Sequence, residues 1–271
     1  MKVKNMTLRI GTVPYLNAKP LIDWFHSGEC EEDVKLTFAV PSSLARMLRE
    51  GELDVANCSI FESFQNPDVT IIPNISISAY GAVKSVRLFS RVPLSDIRSV
   101  ALDSSSLTSA ALIQILLAEL HGIEPRYKDF PPDLEEMLEI CDAGLLIGDL
   151  KLFDFHDGTQ EYDLGKAWLE LTGLPFVYAA WQAQNDSDLI AVSDILTKAK
   201  NWGLARLPDI ASKWAMKFKL PKDRCEDYLL NVMNYDLTPE QMTGLRLFQR
   251  KCHEHGLVNE LIDLKTGGRS G

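Results

Sequence analysis

The N-terminal segment reads Arg9-Ile10-Gly11-Thr12-Val13-Pro14-Tyr15-Leu16-Asn17-Ala18-Lys19-Pro20-Leu21, the pattern of a strand, a short loop and a helix. The apolar residues up to Val13 are of strand type, and Pro20 is tolerated early in a helix because its missing N–H would have no partner there. Tyr15 and Asn17 are therefore predicted to follow a first parallel strand, at the edge where open α/β sheets bind small ligands. The alternative is that Asn17 caps the helix and Tyr15 packs in the core.

The composition is that of a globular protein. With 271 residues, of which 46% are hydrophobic, the chain can form one large domain or two of ordinary size. A net charge of −10 and a pI near 5.0 argue against nucleic acid or an anionic membrane as a partner. The N-terminus lacks the apolar core of a signal peptide, and no apolar stretch approaches the roughly 20 residues of a membrane span. We therefore expect a cytoplasmic protein.

Two further strand-to-helix units follow the opening one. A strand over residues 34–40 leads to a helix with Ser42 at its N-cap. A strand over residues 53–57 leads to another helix, in which Ser59 and Glu62 have the spacing of a capping box. Successive units of this kind predict a parallel sheet, because parallel strands need crossover connections.

The strand-to-helix pattern starts again after residue 90, with a strand, a polar serine-rich loop and an apolar helix over residues 100–120. We therefore predict two α/β lobes joined by a hinge. Residues 1–90 with 175–271, including the C-terminal helices, form the first lobe, and residues 91–174 form the second.

Familiar catalytic signatures are absent from the sequence, including the phosphate-binding and dinucleotide-binding glycine motifs, the nucleophile elbow and the zinc-protease motif. The run Cys252-His253-Glu254-His255 is the one cluster of soft metal ligands. Its two histidines lie two residues apart near a helix end and point in different directions, so a solvated helix end is favoured over a metal site.

Small hydroxyl and amide residues recur at the predicted strand-to-helix turns. Such turns offer free backbone N–H groups and the positive end of a helix dipole, which suit a carboxylate ligand. The alternative for any single residue is that it only caps its own helix. Asp149 is the one acid placed at a strand end where a cleft is expected, and a cap of the following helix is the favoured alternative for it. The turn residues are Asn17, Ser42, Asn57, Ser59, Ser85, Ser104, Ser105, Ser106, Thr108 and Ser109.

Six segments together resemble chorismate dehydratase, the menaquinone-biosynthesis enzyme that opens the futalosine route. They are residues 10–20, Val40-Pro41-Ser42-Ser43-Leu44, Gly51-Glu52-Leu53-Asp54-Val55-Ala56, Ser85-Val86-Arg87-Leu88-Phe89-Ser90, Leu146-Ile147-Gly148-Asp149 and Tyr162-Asp163-Leu164-Gly165-Lys166-Ala167-Trp168. The resemblance extends over residues 8–182 and rests on the combination, since each piece alone is common.

The resemblance implies an α/β protein with the two-lobed fold of type II periplasmic solute-binding proteins, with a hinge and a central cleft. It also implies a hydro-lyase that converts chorismate to 3-[(1-carboxyvinyl)oxy]benzoate and water without a metal or organic cofactor. Loss of the C4 hydroxyl and the C3 proton makes the ring aromatic, so the enzyme need only align the reacting groups in a dry cleft.

The same resemblance implies roles for the turn residues. Asn17 becomes the chemical centre, and because an amide is a poor base, it orients either the departing hydroxyl or a substrate carboxylate that takes the C3 proton. Tyr15 shapes the ring pocket. The two substrate carboxylates are expected to be held by Ser42, Ser59, Ser85, Thr108 and Ser109. Asp149 is a further candidate for substrate binding because of its position at a strand end.

Two other functions stay open at this point. One is a non-catalytic binding protein for a small carboxylate, because fold does not determine function. The other is the related 1,4-dihydroxy-6-naphthoate synthase of the same pathway, which would be expected to use a cleft histidine, whereas none of the five histidines falls at a predicted cleft turn. Residues 186–271 either support the first lobe or form a homodimer contact.

Overall fold

The computed structural model describes residues 7–148, 158–184 and 188–267. The density of contacts divides the chain into two compact units. The first unit comprises the described residues of Met1–Ile77, Ala179–Asn231 and Ile262–Gly271, and the second comprises those of Ser78–Tyr178 and Val232–Leu261. Among the described helices, none is both long enough and apolar enough to span a membrane.

Each of two sheets contains a run of three parallel strands. The six-stranded sheet has the order β11-β4-β10-β3-β1-β2, and β1 is parallel to both β2 and β3. The five-stranded sheet has the order β7-β6-β8-β5-β9, with β6 parallel to β7 and β8. The strands are β1 Leu8–Thr12, β2 Val34–Phe38, β3 Val55–Ser59, β4 Val69–Ala79, β5 Val86–Ser90, β6 Ser99–Asp103, β7 Arg126–Phe130, β8 Ala143–Ile147, β9 Gln160–Asp163, β10 Phe176–Gln184 and β11 Met233–Asn234.

The predicted α/β class with parallel strands is therefore confirmed. Helices follow the parallel strands as expected, and the C-terminal region is rich in helix. The helices are α1 Lys19–Ile22, α2 Pro41–Arg49, α3 Glu62–Gln65, α4 Leu107–His121, α5 Leu134–Ile140, α6 Leu164–Thr172, α7 Leu189–Leu204, α8 Leu207–Phe218, α9 Lys222–Asp227 and α10 Pro239–Glu254. Helix α10 lies in the second compact unit. The predicted lobe boundaries stay a prediction.

One local prediction is wrong. The sequence predicts separate strands over residues 69–72 and 75–78, yet both belong to β4, in which Asn74 takes a left-handed φ of 64°. Asparagine tolerates that region better than most residues, so the strand continues past the proline. The carbonyl of Asn74 also accepts a hydrogen bond from the buried Lys200 Nζ at 2.6 Å.

Helix α1, which follows the opening loop, packs tightly against α7 in the first unit. A Cβ added at Gly203 of α7 would lie 1.7 Å from the carbonyl oxygen of Pro20. Only glycine permits this close approach, so Gly203 helps to set the position of α1. In the second unit, an apolar core lies beneath the sheet and contains Phe89, Ala101, Phe130, Leu134, Met137, Leu138, Cys141 and Leu146.

Candidate functional site

The loop after β1 carries Tyr15 and Asn17 at the carboxyl edge of three neighbouring parallel strands. Tyr15 is extended and half-buried, and residues Leu16–Ala18 form a single 3-10 turn. The sequence left open that Asn17 caps a helix and that Tyr15 packs in the core. Neither holds, because Asn17 caps no helix and Tyr15 is not fully buried. Both residues therefore stay candidates for contact with a ligand at this edge.

The amide of Asn17 has two ends with different surroundings. Its Nδ2 donates to the hydroxyl of Tyr228 at 3.4 Å. Its Oδ1 is buried and has no hydrogen-bond partner among the described residues. A buried acceptor without a donor is costly, so such a group needs an explanation. At this position the amide oxygen can accept a hydrogen bond from a ligand.

Ser42 and Ser59 flank this loop on the two neighbouring strand-to-helix junctions. Ser42 is half-buried in the first turn of α2, but the predicted N-cap is wrong, because the helix begins at Pro41 and its cap position is occupied by Val40, two residues before Ser42. Proline is favoured at the first helical position, which explains the earlier start. Ser59 ends β3, and its hydroxyl accepts from the Phe61 amide at 3.3 Å.

The predicted capping box between Ser59 and Glu62 does not form. Helix α3 begins at Glu62 without a side-chain cap, and Glu62 Oε1 instead accepts from Asn66 Nδ2 at 3.0 Å. The Glu62 side chain is fully buried, and Oε2 has no partner in the described part of the chain. Burial raises the pKa of this carboxyl, and the Asn66 hydrogen bond and the Arg49 charge only partly oppose the shift.

A row of buried polar side chains crosses the sheet of the first unit just below this edge. Asn57, predicted at a turn, lies within β3 opposite Trp181 of β10. Because Gly11 pairs with Ala56, one more step of the same register places Thr12 beside Asn57. Thr12 Oγ1, both amide atoms of Asn57 and Trp181 Nε1 are all buried, and none has a hydrogen-bond partner among the described residues.

The second unit has its own edge of parallel strand ends, and the structure brings Ser85, Thr108 and Ser109 to it. Thr108 and Ser109 are buried in the first turn of α4, directly after β6. Ser85 precedes β5, whose first residue pairs with Ile147 at the end of β8. Since β8 is parallel to β6, all three serine and threonine side chains share one edge.

Hydrogen bonds within the second unit already engage parts of these residues. The Thr108 hydroxyl donates to the Tyr178 carbonyl at 3.2 Å, and the Ser109 amide donates to Ser106 Oγ at 3.3 Å. The capping alternative therefore holds for Ser106, which is the N-cap of α4. The helix start still presents backbone amides that have no intrahelical acceptor, and these favour an anion.

Asp103 organises this second edge, a role that sequence did not predict. Its Oδ1 accepts from the amide and the hydroxyl of Ser105 at 2.9 and 2.5 Å, and its Oδ2 accepts from the Ile147 amide at 3.3 Å. The carboxylate thus joins the loop after β6 to the end of β8. Asp149, the acid that sequence placed at this edge, lies outside the described residues.

Two further observations concern potential metal ligands and a tyrosine that the sequence did not predict. Within residues 7–148, 158–184 and 188–267, no group of three or more potential metal-ligating side chains converges. His255 instead pairs with Glu119 at 2.9 Å. Tyr228 was missed altogether, and no signal in the sequence could have found it, because it contacts Asn17 across 211 residues of chain.

Comparison of the sequence with known proteins gives one family. Residues 8–254 match the family model described as menaquinone biosynthesis. A chorismate dehydratase from Thermus thermophilus is 30% identical over 258 residues, which cover 88% of this chain and 93% of that protein. A chorismate dehydratase from Campylobacter jejuni is 25% identical over 252 residues, covering 89% of this chain and 96% of that protein.

Comparison of the structure gives proteins of the periplasmic-binding-protein fold. A protein from Archaeoglobus fulgidus has a TM-score of 0.79 at 17% identity and covers 93% of this chain and 98% of its own. The periplasmic aliphatic sulphonate-binding protein of Escherichia coli has a TM-score of 0.66 at 15% identity, covering 98% of this chain and 94% of its own. At these identities the similarity establishes the fold alone, and it confirms the predicted fold class.

Proposed function

This chain belongs to the menaquinone biosynthesis family whose model it matches, and we propose that it is a chorismate dehydratase, which converts chorismate to 3-[(1-carboxyvinyl)oxy]benzoate and water. The observation that carries the proposal is the similarity to the Thermus thermophilus enzyme over nearly the full length of both chains. The hydro-lyase class, independence of metals and cofactors, and a cytoplasmic location belong to the same proposal.

The reaction depends more on alignment of the reacting groups than on strongly acidic, basic or nucleophilic side chains. The electron pair of the C3–H bond forms the new ring double bond as the C4–O bond breaks, and the released hydroxide and proton leave as water. Because the product ring is aromatic, the driving force lies in the substrate. A protein can accelerate such a step by holding the leaving hydroxyl and the proton acceptor in place in a low-dielectric site.

Asn17 is proposed to orient the departing hydroxyl. Its buried Oδ1 has no donor among the described residues, while its Nδ2 is engaged by Tyr228. This arrangement favours a substrate group that donates a hydrogen bond, which the C4 hydroxyl does and a carboxylate cannot. Sequence left two roles open for Asn17, and the amide geometry supports the one in which Asn17 orients the departing hydroxyl. We still propose a substrate carboxylate as the acceptor of the C3 proton.

The proposed substrate-binding residues of each unit lie at that unit's own edge of strand ends. In the first unit, Ser42 and Ser59 flank the loop in which Tyr15 is proposed to shape the ring pocket. In the second unit, the start of α4 supplies backbone amides beside Ser85, Thr108 and Ser109. A homodimer stays a prediction.

The test is to incubate purified protein with chorismate and to follow the products by chromatography and mass spectrometry. A protein-dependent product lighter than chorismate by one water, with the mobility of the enolpyruvyl benzoate, is expected. Protein heated to loss of structure serves as the control for spontaneous chorismate breakdown.

Other results would assign the two alternatives. Unchanged chorismate that nevertheless raises the melting temperature would indicate a binding protein for small carboxylates. With neither turnover nor stabilisation by chorismate, later intermediates of the pathway become the substrates to assay, and the dehydratase proposal is rejected.

A further inference from the structure

A C-terminal segment of the first unit holds the loop that carries Asn17. Tyr228, whose side chain is 1% exposed, receives the hydrogen bond from Asn17 Nδ2. It is the first residue of a π-helical turn, Tyr228–Val232, that directly follows α9. Such turns carry an extra residue per turn and are frequent at functional sites. The local backbone irregularity therefore coincides with the one residue that touches the Asn17 amide in this segment.

Helix α8, in the same C-terminal segment, contacts the end of the loop that carries Asn17. Lys19 is only 2% exposed, and its Nζ lies 4.1 Å from the ring centre of Trp214 and 5.7 Å from that of Phe218, both in α8. Phe38 of β2 adds a third ring at 5.3 Å. A buried ammonium over aromatic faces is attracted by their electron density, so α8 anchors the chain two residues beyond Asn17.

The contact with Tyr228 has a chemical consequence as well as a mechanical one. An asparagine amide has a donor end and an acceptor end of nearly equal shape, so its orientation decides which one a ligand meets. With Nδ2 directed to the tyrosine hydroxyl, the opposite end is the buried Oδ1, for which the described residues 7–148, 158–184 and 188–267 provide no donor. Replacing the hydroxyl by hydrogen would leave the amide without this fixed contact.

We propose that Tyr228 is a positioning residue that orients the amide of Asn17 so that Oδ1 faces the leaving hydroxyl of the substrate. The inference rests on the proposed dehydratase function and extends it by a residue that accepts a hydrogen bond from Asn17. Anchoring of Lys19 by α8 restrains the backbone of the same loop.

Kinetics of Tyr228→Phe and Asn17→Ala, alone and combined, test the proposal on chorismate. Tyr228→Phe is expected to lower kcat about tenfold with KM changed by less than about twofold, because alignment is lost while binding is kept. In the Asn17→Ala background, Tyr228→Phe should have no further effect, since the group it positions is gone. Tyr235→Phe, which removes another buried tyrosine hydroxyl, is the matched control and should keep the wild-type kcat.

A second readout does not depend on turnover. The side-chain amide resonances of Asn17 in a nitrogen-15 correlation spectrum should shift and broaden in Tyr228→Phe and stay in place in Tyr235→Phe. Unchanged resonances would overturn the inference whether or not chorismate is the substrate. The inference would also be overturned if Tyr228→Phe lowered kcat by the same factor in the wild-type and Asn17→Ala backgrounds, because the two residues would then act independently. Failure of the wild-type protein to convert chorismate would reject the proposed function and leave the resonance test to decide the positioning role.

Discussion

At the scale of single residues, Asn17 is the position on which the proposed chemistry depends most. Its amide nitrogen donates to Tyr228, and its buried amide oxygen has no hydrogen-bond partner in the part of the chain that the structure describes. An amide has no useful basicity, so its contribution is orientation. In the proposed reaction, a neutral residue would act through this geometry and not by accepting the proton.

Asn17→Ala is expected to lower kcat for chorismate about a hundredfold, because a misplaced reacting group loses that much rate even when binding persists. Product formation followed by mass spectrometry with a high enzyme concentration measures the loss. Asn201→Ala is the matched control, since Asn201 is an exposed asparagine of α7 in the same unit. Near-normal turnover in Asn17→Ala would remove Asn17 from the mechanism.

Thr12 offers a test of the buried polar row. Its hydroxyl has no partner among the described residues, and valine has nearly the same shape without the polar group. Thr12→Val is therefore expected to raise the free energy of unfolding by about 1 kcal/mol, measured by urea denaturation. The half-buried Thr37 of β2 is the control, with an expected change below about 0.5 kcal/mol for Thr37→Val. A loss of stability in Thr12→Val would show that the hydroxyl is hydrogen-bonded in solution.

At the scale of elements, one carboxylate joins the end of α5 to the start of β6. Asp142 Oδ2 accepts from the Arg98 amide, the Ser99 amide and the Ser99 hydroxyl, each at 2.9 Å. The Arg98 amide lowers the pKa of Asp142 most; burial opposes the shift, and the Ser99 groups and the Arg126 charge lower the pKa further. Folding therefore favours the ionised form.

Asp142→Asn is expected to lower the free energy of unfolding at pH 7 by about 1 to 2 kcal/mol. A carboxyl pKa that is depressed in the folded state contributes stability above its unfolded value of 3.8, and this contribution is lost as pH falls through the folded value. The gap between wild type and variant should close below pH 3.8. Denaturation curves at several pH values measure it, with the exposed Asp129→Asn as control. A gap independent of pH would contradict the ionic explanation.

At the scale of the whole molecule, the fold places serine, threonine and asparagine side chains beside strand ends and helix starts, and it supplies backbone amides there without any cofactor motif. This composition suits a substrate that carries two carboxylates and its own driving force. Dialysis of the purified protein against a chelator is accordingly expected to leave turnover of chorismate unchanged. Loss of activity that a divalent cation restores would show that a metal takes part.

Much of the architecture could be predicted from the chain, because hydrophobic periodicity and turn residues act locally. The strand, loop and helix at residues 9–21, the serine-rich loop after β6 and the helix that starts at Leu107 were all predicted from such patterns. The predictions were wrong where a residue type is compatible with more than one local structure. The two strands predicted over residues 69–72 and 75–78 form the single strand β4. Ser42 was predicted to cap α2, but that helix already begins at Pro41.

The sequence by itself determined the α/β class, the opening loop with Tyr15 and Asn17, and the resemblance on which the functional proposal first rested. Only the tertiary structure decided how those residues are held. Tyr228 orients the Asn17 amide from 211 positions away, Asp103 joins two strand ends, and Thr12 lies beside Asn57 through sheet register. The physical reason is that periodicity and capping depend on neighbours a few residues apart, whereas hydrogen bonds between distant segments depend on how the whole chain packs.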